Sequence, residues 1–417
     1  MMSTLRWSAV ADKRPLEATP SIQYNNLSVT RTKSEQQQQQ LLGFAHQNQV
    51  HVMSHPSGKS ISSTVSGLVT SVTWIDAGPV LGDVLVVCTT VSVEFFSRSS
   101  CSTTTTTFVP FHVHSPLDQI PATSRTTFSR GGARGATAIY SSLLSSSSSS
   151  SVLILVGTCT GTVLSFTLSP STKSSPTSTT VVVTPTITSS PEKLQTPCSA
   201  ITCVCSSPSG GKPVPFAGCA LDGPAGSSTG GGASWACSDD AGTVVVFGRS
   251  SSSSSHSRAW CRCALLAACG SPCTGVAFHP TCAALIASFA SGHVRVFSLD
   301  SHSVSVEICA HARPITALHV HPVLPLAVTT SEDAWIRCWS LVASPPVSNP
   351  QPQQHPTSIT VRQAFAASLP SPAMWTGAQF IDVVSSSSSS STKTTKTTVS
   401  ISVVAFDVPS LYVFNQT

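Results

Sequence analysis

Charged residues are scarce in this chain, and their scarcity narrows the classes of partner that the sequence favours. Only 9% of the 417 residues are Asp, Glu, Lys or Arg, against about a quarter in typical globular domains. The net charge of +5 is a mild excess, whereas nucleic-acid-binding domains usually carry a strong basic patch or stripe. We therefore expect no nucleic acid partner.

The chain also lacks the long hydrophobic runs that cross membranes. The uncharged stretch 263–293 is interrupted by Pro272 and Pro280, whereas a membrane helix needs about 20 mainly apolar residues. The first 20 residues contain no continuous apolar core of the kind found in secretory signals. We expect a cytoplasmic protein without a transmembrane segment, in which the 15 cysteines stay reduced. Peripheral contact with a membrane stays open.

Sequence motifs of enzymes and metal sites are missing as well. Neither a Walker phosphate loop nor a dinucleotide-binding fingerprint occurs. Residues 226–230 (GSSTG) match the GxSxG pattern, but they lie in a Gly/Ser run instead of between a strand and a helix. Cys269, Cys273, His279 and Cys282 include no CxxC pair, so their spacing does not predict zinc. We expect no catalytic residue, no metal and no cofactor.

What the chain does contain is an internal repeat. Residues 271–299 align without a gap with residues 313–341, and His279 of the first stretch matches His321 of the second. A period of about 40–45 residues that ends in a short strand and an aromatic residue is typical of WD repeats. One such unit cannot bury its own apolar face, so several must stack, usually as a propeller.

Seven stretches have the pattern of the third strand of a WD blade, in which apolar residues alternate up to an aromatic or Met. They are residues 49–53, 92–96, 161–166, 242–247, 292–297, 334–339 and 410–414. We predict an all-β fold with a single seven-bladed propeller over residues 21–417, whose clearest repeats are 271–311 and 312–342. Residues 1–20 form an N-terminal segment, from which we expect residues 5–10 to add the fourth strand of the last blade and close the ring.

Low-complexity tracts interrupt the predicted blades in two loop types. They fall between first and second strands (36–40, 145–151, 206–233, 385–391) or between third and fourth strands (99–107, 169–180, 250–255, 344–356). Both loop types emerge on the same face of a propeller, which we call the insertion face. The turns between second and third strands and the links between blades emerge on the opposite face, which we call the inter-blade face. Because such tracts cannot build a core, we expect partners to bind the inter-blade face or the mouth of the central channel.

One long link on the inter-blade face carries three arginines. It spans residues 115–136 and contains Arg125, Arg130 and Arg134 among Gly and Ser. Planar guanidinium groups bind oxyanions in bidentate fashion, so this loop could hold phosphorylated peptides or membrane headgroups. A solvated connector is the alternative, because surface loops are often polar without any further role.

One blade has the residues of a buried hydrogen-bond network. In such a network a His before the first strand, a hydroxyl on the second, an Asp in the next turn and a Trp on the third hold one another. The set here is His311, Thr329 or Ser331, Asp333 and Trp339. Asp240 is the candidate Asp of another blade. We assign these residues a structural role and not a catalytic one.

Short stretches also resemble the WD repeat-containing protein 54 family. They are 25–29 (NNLSV), 156–166 (VGT followed by Gly161, Val163, Leu164 and Phe166), 239–242 (DD with Gly242), 310–313 (AHAR), 332–339 (ED with Trp339) and 377–380 (GAQF). The low-complexity insertions depart from the family pattern. The resemblance implies a single cytoplasmic propeller without assigned catalysis that acts as a scaffold or adaptor for other proteins. Binding of anionic ligands through the arginine-bearing link is the alternative function.

Overall fold

A computed structural model of the protein consists of short antiparallel strands. It describes residues 6–8, 10–30, 40–55, 57–98, 108–115, 133–140, 151–173, 182–187, 192–207, 234–249, 260–343, 359–368, 373–389 and 392–417. The strands are β1 (Asp12–Pro15), β2 (Ser28–Val29), β3 (Gln40–His46), β4 (Gln49–His55), β5 (Ser60–Thr64), β6 (Val69–Asp76), β7 (Asp83–Thr89), β8 (Val93–Ser97), β9 (His112–His114), β10 (Ala133–Tyr140), β11 (Val152–Thr158), β12 (Thr162–Lys173), β13 (Val182–Ile187), β14 (Glu192–Gln195), β15 (Ile201–Ser206), β16 (Ser234–Asp239), β17 (Val244–Arg249), β18 (Trp260–Leu266), β19 (Cys273–Phe278), β20 (Ala284–Phe289), β21 (His293–Ser298), β22 (Ser303–Cys309), β23 (Ile315–Val320), β24 (Leu326–Ser331), β25 (Trp335–Ala343), β26 (Ile359–Ser368), β27 (Trp375–Ser389), β28 (Thr392–Ala405) and β29 (Ser410–Asn415). A short helix, α1 (Gly78–Leu81), lies between β6 and β7.

The described strands form seven sheets, and each sheet is one blade of a propeller. Blade 1 is β2–β5, blade 2 is β6–β9, blade 3 is β10–β14, blade 4 is β15–β18, blade 5 is β19–β22, blade 6 is β23–β26, and blade 7 is β27–β29 with β1. The first strands of successive blades lie side by side around a central channel, and β27 of blade 7 lies beside β2 of blade 1. The predicted seven-bladed propeller is confirmed. Each predicted third strand lies in the third strand of a blade.

The core is divided among the spaces between neighbouring blades. Strand β20 shows why, because its successive side chains point to opposite faces of the sheet. Leu285 and Ala287 pack in the apolar cluster shared with blade 4, while Ala284 and Ile286 pack in the cluster shared with blade 6. Central strands such as β20 are therefore buried on both faces and consist mainly of apolar residues.

The ring closes between the first and last blades through strand β1. Residues 12–15 pair with Ser410–Val413 of β29, from Asp12 beside Val413 to Pro15 beside Ser410. Residues 12–15, and not the expected residues 5–10, form this strand. Among the described residues 6–8 and 10, Trp7 makes an isolated bridge to Gln416. An outermost strand borders solvent and does not need an apolar pattern, so the polar sequence DKRP carried no signal. The division of the chain at residue 20 stays a prediction.

Two of the low-complexity tracts are partly strands and not loops. Ser385–Ser389 pairs with residues 392–396 at the end of blade 7, and Ser169–Lys173 pairs with residues 182–186 in blade 3. Antiparallel pairing satisfies the backbone groups of both partners whatever the side chains are, so apolar residues are not required there. The remaining tracts lie largely outside the described residues.

The two repeated histidines join neighbouring blades. His279 of blade 5 donates through Nε2 to the carbonyl of Leu341 in blade 6 over 2.8 Å. In the next repeat the Nε2 of His321 lies 3.0 Å from Oδ1 of Asp382 in blade 7. Backbone N–H groups donate to Nδ1 of both rings, which sets the tautomer. The two histidines of the sequence repeat therefore link neighbouring blades through hydrogen bonds and are not metal ligands.

Two further histidines lie near the seam between blade 1 and blade 7. The His51 ring is buried and stacks on Phe44 with 5.1 Å between the ring centroids, and Phe44 packs with Leu411 and Val413 of blade 7. Burial lowers the pKa of His51, an effect that His46 increases and Glu17 opposes. Burial also lowers the pKa of His55 to about 4, with a further lowering by Arg14 and an opposing effect of Asp12. Both rings are therefore neutral in the folded protein at neutral pH.

We expect acid to destabilise the propeller through these two rings. In the unfolded chain both bind protons near pH 6.5, whereas in the folded chain they resist protonation. Their contribution to stability is thus complete above pH 6.5 and is lost as the pH falls from 6.5 towards 4. The loss for the pair is about 1–2 kcal/mol, less than the full shift would give, because His55 keeps part of its surface in water.

The measurement is the urea midpoint between pH 7.5 and 4 for wild type, for His51→Phe/His55→Gln, and for His302→Gln as an exposed control. The double variant should lose less stability on acidification than wild type. Equal pH dependence in all three proteins would contradict the assignment.

Candidate functional site

The central channel opens on the inter-blade face into a cavity of about 430 Å³. Its wall is made by the beginnings of the first strands, among them Thr70 of β6, Thr202 of β15 and Thr274 of β19. A second cavity of about 260 Å³ lies at the other end of the channel, where the same strands finish. We call the first cavity the channel mouth.

The segment before β2 is anchored across the channel mouth. The backbone N–H of Asn25 donates to the carbonyl of Thr316 over 2.8 Å, and its side-chain Nδ2 donates to the carbonyl of Thr274 over 2.9 Å. The N–H of Leu318 donates to Asn25 Oδ1 over 3.2 Å. Asn25 has a φ of +56°, a conformation that Asn tolerates better than most residues. One side chain thus ties the start of blade 1 to blades 5 and 6.

Asn26 holds the same segment onto blade 1. Its side chain is fully buried, donates through Nδ2 to the carbonyls of Ser21 and Ala45, and accepts the N–H of Ala45 over 2.7 Å. Gln23 Nε2 donates to Asn26 Oδ1 over 2.9 Å. These contacts replace the pairing that a longer first strand would supply, since β2 has two residues.

A single charged side chain appears among the described residues that line the channel mouth, and it is Glu332. This residue lies in the turn between β24 and β25 of blade 6, and Tyr24 donates its hydroxyl to Glu332 Oε1 over 3.0 Å. The other polar groups of the lining are hydroxyls, amides and thiols. The cavity is therefore mixed in polarity with one negative charge.

The hydrogen-bond network of blade 6 runs beside this turn as an ordered chain. Trp339 Nε1 donates to Thr329 Oγ1, the Thr329 hydroxyl lies 2.9 Å from His311 Nε2, and His311 Nδ1 lies 3.1 Å from both oxygens of Asp333. Each residue of this chain donates a hydrogen bond to the next, in the order Trp339, Thr329, His311, Asp333. Every polar group then has a partner when the His311 imidazole is neutral. Of the two hydroxyls that the sequence left open, Thr329 joins this chain, while Ser331 accepts the N–H of Asp333.

The charge state of this network follows from burial. Burial lowers the pKa of His311, and the Asp333 carboxylate offsets part of that effect. Burial acts to raise the pKa of Asp333, but His311 and the N–H groups of Trp335 and Ala312 outweigh it, so this pKa is lowered. A carboxylate that stays ionised beside a neutral His holds this turn in place, and the Thr329 hydroxyl of the same chain of hydrogen bonds is fully buried.

Comparison with known proteins agrees with this geometry. No family model matches the chain. A stretch of 118 residues is 29% identical to mouse (Mus musculus) WD repeat-containing protein 54 and covers 28% of this chain and 32% of the mouse protein. The chain thus matches about a third of the length of that relative. The molecule is a WD-repeat β-propeller. Propellers of this kind are generally protein-interaction scaffolds without catalysis.

In blade 4 the WD propeller uses a different Asp from the one predicted. Asp239, and not Asp240, accepts the N–H groups of Ser199, Ala241 and Thr243, at 3.2, 3.1 and 2.7 Å. Asp240 instead accepts the hydroxyl of Ser199. Asp239 is the last residue of β16, at the position that Ser331 has in blade 6, so the acceptor belongs to the second strand and not to the turn in which the prediction placed it.

The three predicted arginines do not form a described cluster. Arg125 and Arg130 lie outside the described residues. Arg134 belongs to β10, the first strand of blade 3, so the predicted connector 115–136 was too long at its end. The anionic-ligand hypothesis stays a prediction.

Within the described ranges no helix is long and apolar enough to cross a membrane. No group of three or more His, Cys, Asp or Glu side chains in those ranges is arranged to hold a metal ion.

Sequence reasoning missed the residues of the channel mouth. Gln23 and Tyr24 meet Glu332 there, although about 300 positions of the chain separate them from it. The one available signal was the pair Asn25 and Asn26 directly before a short strand, because Asn is favoured where the backbone takes a left-handed conformation.

Proposed function

We propose that this chain is a non-catalytic scaffold that binds other proteins on the inter-blade face, around the channel mouth. The proposal includes membership of the WD repeat-containing protein 54 family and a cytoplasmic location. The first rests on the partial similarity to the mouse protein. The second rests on the 13 described cysteines, all of which are free thiols, as is usual in reducing compartments.

The observation that carries the proposal is a set of large apolar side chains exposed on this face. They are Ile22, Leu68, Val91, Trp335 and Phe406, with exposed fractions from 38% (Val91) to 52% (Leu68). Exposed apolar groups around a concave opening are typical of protein-binding sites, and Trp is enriched among the residues that contribute most to binding.

These side chains are arranged around the channel mouth. Ile22 lines the cavity itself. The N–H of Phe406 donates to the carbonyl of Met374, another lining residue. Leu68 and Thr90 exchange hydrogen bonds through the N–H of each, which places Val91 beside Leu68. The apolar groups thus belong to blades 1, 2, 6 and 7.

The test compares matched pairs of variants on the two faces. Leu68→Ser/Val91→Ser changes the inter-blade face, and Val109→Ser/Val323→Ser changes apolar residues near the insertion face that are still more exposed. Each full-length protein is used for affinity purification with cross-linking mass spectrometry from its own cells. We expect the first pair to reduce recovery of the main cross-linked partners about tenfold, and the second pair to leave it unchanged.

Cross-links concentrated on the insertion face, or equal losses with both pairs, would contradict the choice of surface. A purified chain with catalytic turnover that a point substitution abolishes would contradict the non-catalytic assignment.

A further inference from the structure

The described residues that line the channel mouth include several hydrogen-bond acceptors and no Lys or Arg. Glu332 is the one charged side chain among the described residues that line it. A carboxylate in a partly enclosed cavity is costly to desolvate unless a donor or a cation pairs with it. Tyr24 supplies one donor, to Oε1. The Glu332 carboxylate can therefore accept a hydrogen bond from a further donor.

A second acceptor in the same wall has no partner. The Oε1 atom of Gln23 is buried and accepts no hydrogen bond from any described group. Its orientation is determined, because Asn26 Nδ2 donates to two carbonyls and Asn26 Oδ1 accepts the N–H of Ala45. Gln23 must then present Nε2 to Asn26 Oδ1, which leaves Oε1 as the free acceptor.

We infer that the channel mouth binds a basic side chain, arginine or lysine, of a partner protein. This inference rests on the proposed scaffold function and specifies the chemistry of its partner. The cationic group pairs with Glu332 and donates to the Gln23 carbonyl oxygen, so one ligand satisfies both acceptors. Guanidinium and ammonium groups carry several donors and no acceptor, which fits a wall whose unsatisfied groups are acceptors.

A polypeptide is favoured over a small cation because of what surrounds the opening. Ile22 and Phe406 are exposed next to the cavity, and they can pack against neighbouring residues of a bound chain. A small cation would leave these apolar groups in water. An anionic ligand is disfavoured, because Glu332 would repel it from this cavity.

The experiment uses the full-length protein and four peptides, acetyl-Gly-Gly-X-Gly-Gly-amide with X as Arg, Lys, Gln or Glu. Binding is measured by saturation-transfer difference NMR at low salt, with agmatine as a small guanidinium competitor. We expect the Arg or Lys peptide to bind at least about fivefold more tightly than the Gln peptide, and the Glu peptide to bind least, because the ion pair lies in a cavity partly shielded from water.

The matched variants change one carboxylate each to an amide. Glu332→Gln keeps an acceptor for Tyr24 and removes the charge. It should lower the affinity for the Arg or Lys peptide at least about fivefold. Glu192→Gln makes the same charge change on exposed β14 of blade 3 and should leave binding unchanged. Both variants should keep the wild-type thermal transition.

Equal binding of the Arg and Gln peptides, or binding that Glu332→Gln does not alter, would overturn the inference. Tighter binding of agmatine than of the Arg peptide would overturn the assignment to a protein ligand. Neither result affects the scaffold proposal, which is tested separately by the loss of partners from the Leu68→Ser/Val91→Ser variant.

Discussion

Replacing Gly292 with Ala should lower the free energy of unfolding by about 2–5 kcal/mol. Gly292 lies in the turn between β20 and β21 with a φ of +82°, and a Cβ at this position would overlap the carbonyl oxygen of His311. The strain of a left-handed Ala costs about 1–2 kcal/mol, and the overlap adds about 1–3 kcal/mol. The overlap displaces the link between β22 and β23, whose residues Ala310 and His311 donate their N–H groups to the carbonyl of Gly292. The hydrogen-bond network of blade 6 is disturbed as well, because His311 belongs to it.

Gly270→Ala is the matched control for this substitution. Gly270 has a φ of +72°, but a Cβ there meets no atom within 4 Å, so this variant carries the backbone strain without the overlap. We expect a loss of about 1–2 kcal/mol. Ala334, which matches Gly292 in the sequence repeat, has a φ of +66°, so the turn itself accepts Ala. Urea denaturation at pH 7.5 measures both losses. Equal values would show that the overlap with the His311 carbonyl oxygen adds nothing to the loss of stability.

Replacing Asp239 with Ala should lower the free energy of unfolding by about 2–4 kcal/mol, while Asp240→Ala should cost less than about 1 kcal/mol. Asp239 is 2% exposed and accepts three backbone N–H groups in blade 4. Its loss leaves these donors without an acceptor, at about 1–3 kcal/mol for a buried group. Asp240 lies at the surface of the same turn and accepts a hydroxyl, and exposed contacts of this kind contribute little.

The pair of variants separates the acceptor that the structure shows from the candidate that the sequence predicted. Both substitutions remove one negative charge at adjacent positions, so their effects on net charge and on the unfolded chain are matched. Urea midpoints of the two proteins give the comparison directly. A larger loss for Asp240→Ala would mean that the residue predicted from the sequence holds this turn and that Asp239 is not its main acceptor.

The sequence predicted the inner strands of the blades better than the outermost strand β1, the start of β10 and the turn of blade 4. Third strands such as 292–297 could be located because their alternation and terminal aromatic are imposed by burial between two sheets. Strand β1 was missed because an outermost strand has no such requirement. Arg134 was assigned to a loop because the surrounding Gly and Ser hide the start of β10. Asp240 was selected as the Asp of its turn, whereas the acceptor is Asp239 at the end of the second strand, and local sequence does not show where that strand ends.

The sequence by itself determined that the protein is a propeller of seven blades, because local alternation and a repeat of apolar positions are properties of short segments. It also determined that blade 6 has the members of its polar network, since all of them lie close together in the chain, between residues 311 and 339. Only the tertiary structure decided the channel mouth. Gln23, Tyr24 and Glu332 meet because the ring closes, and closure brings residues from the two ends of the chain together through contacts that no local pattern records.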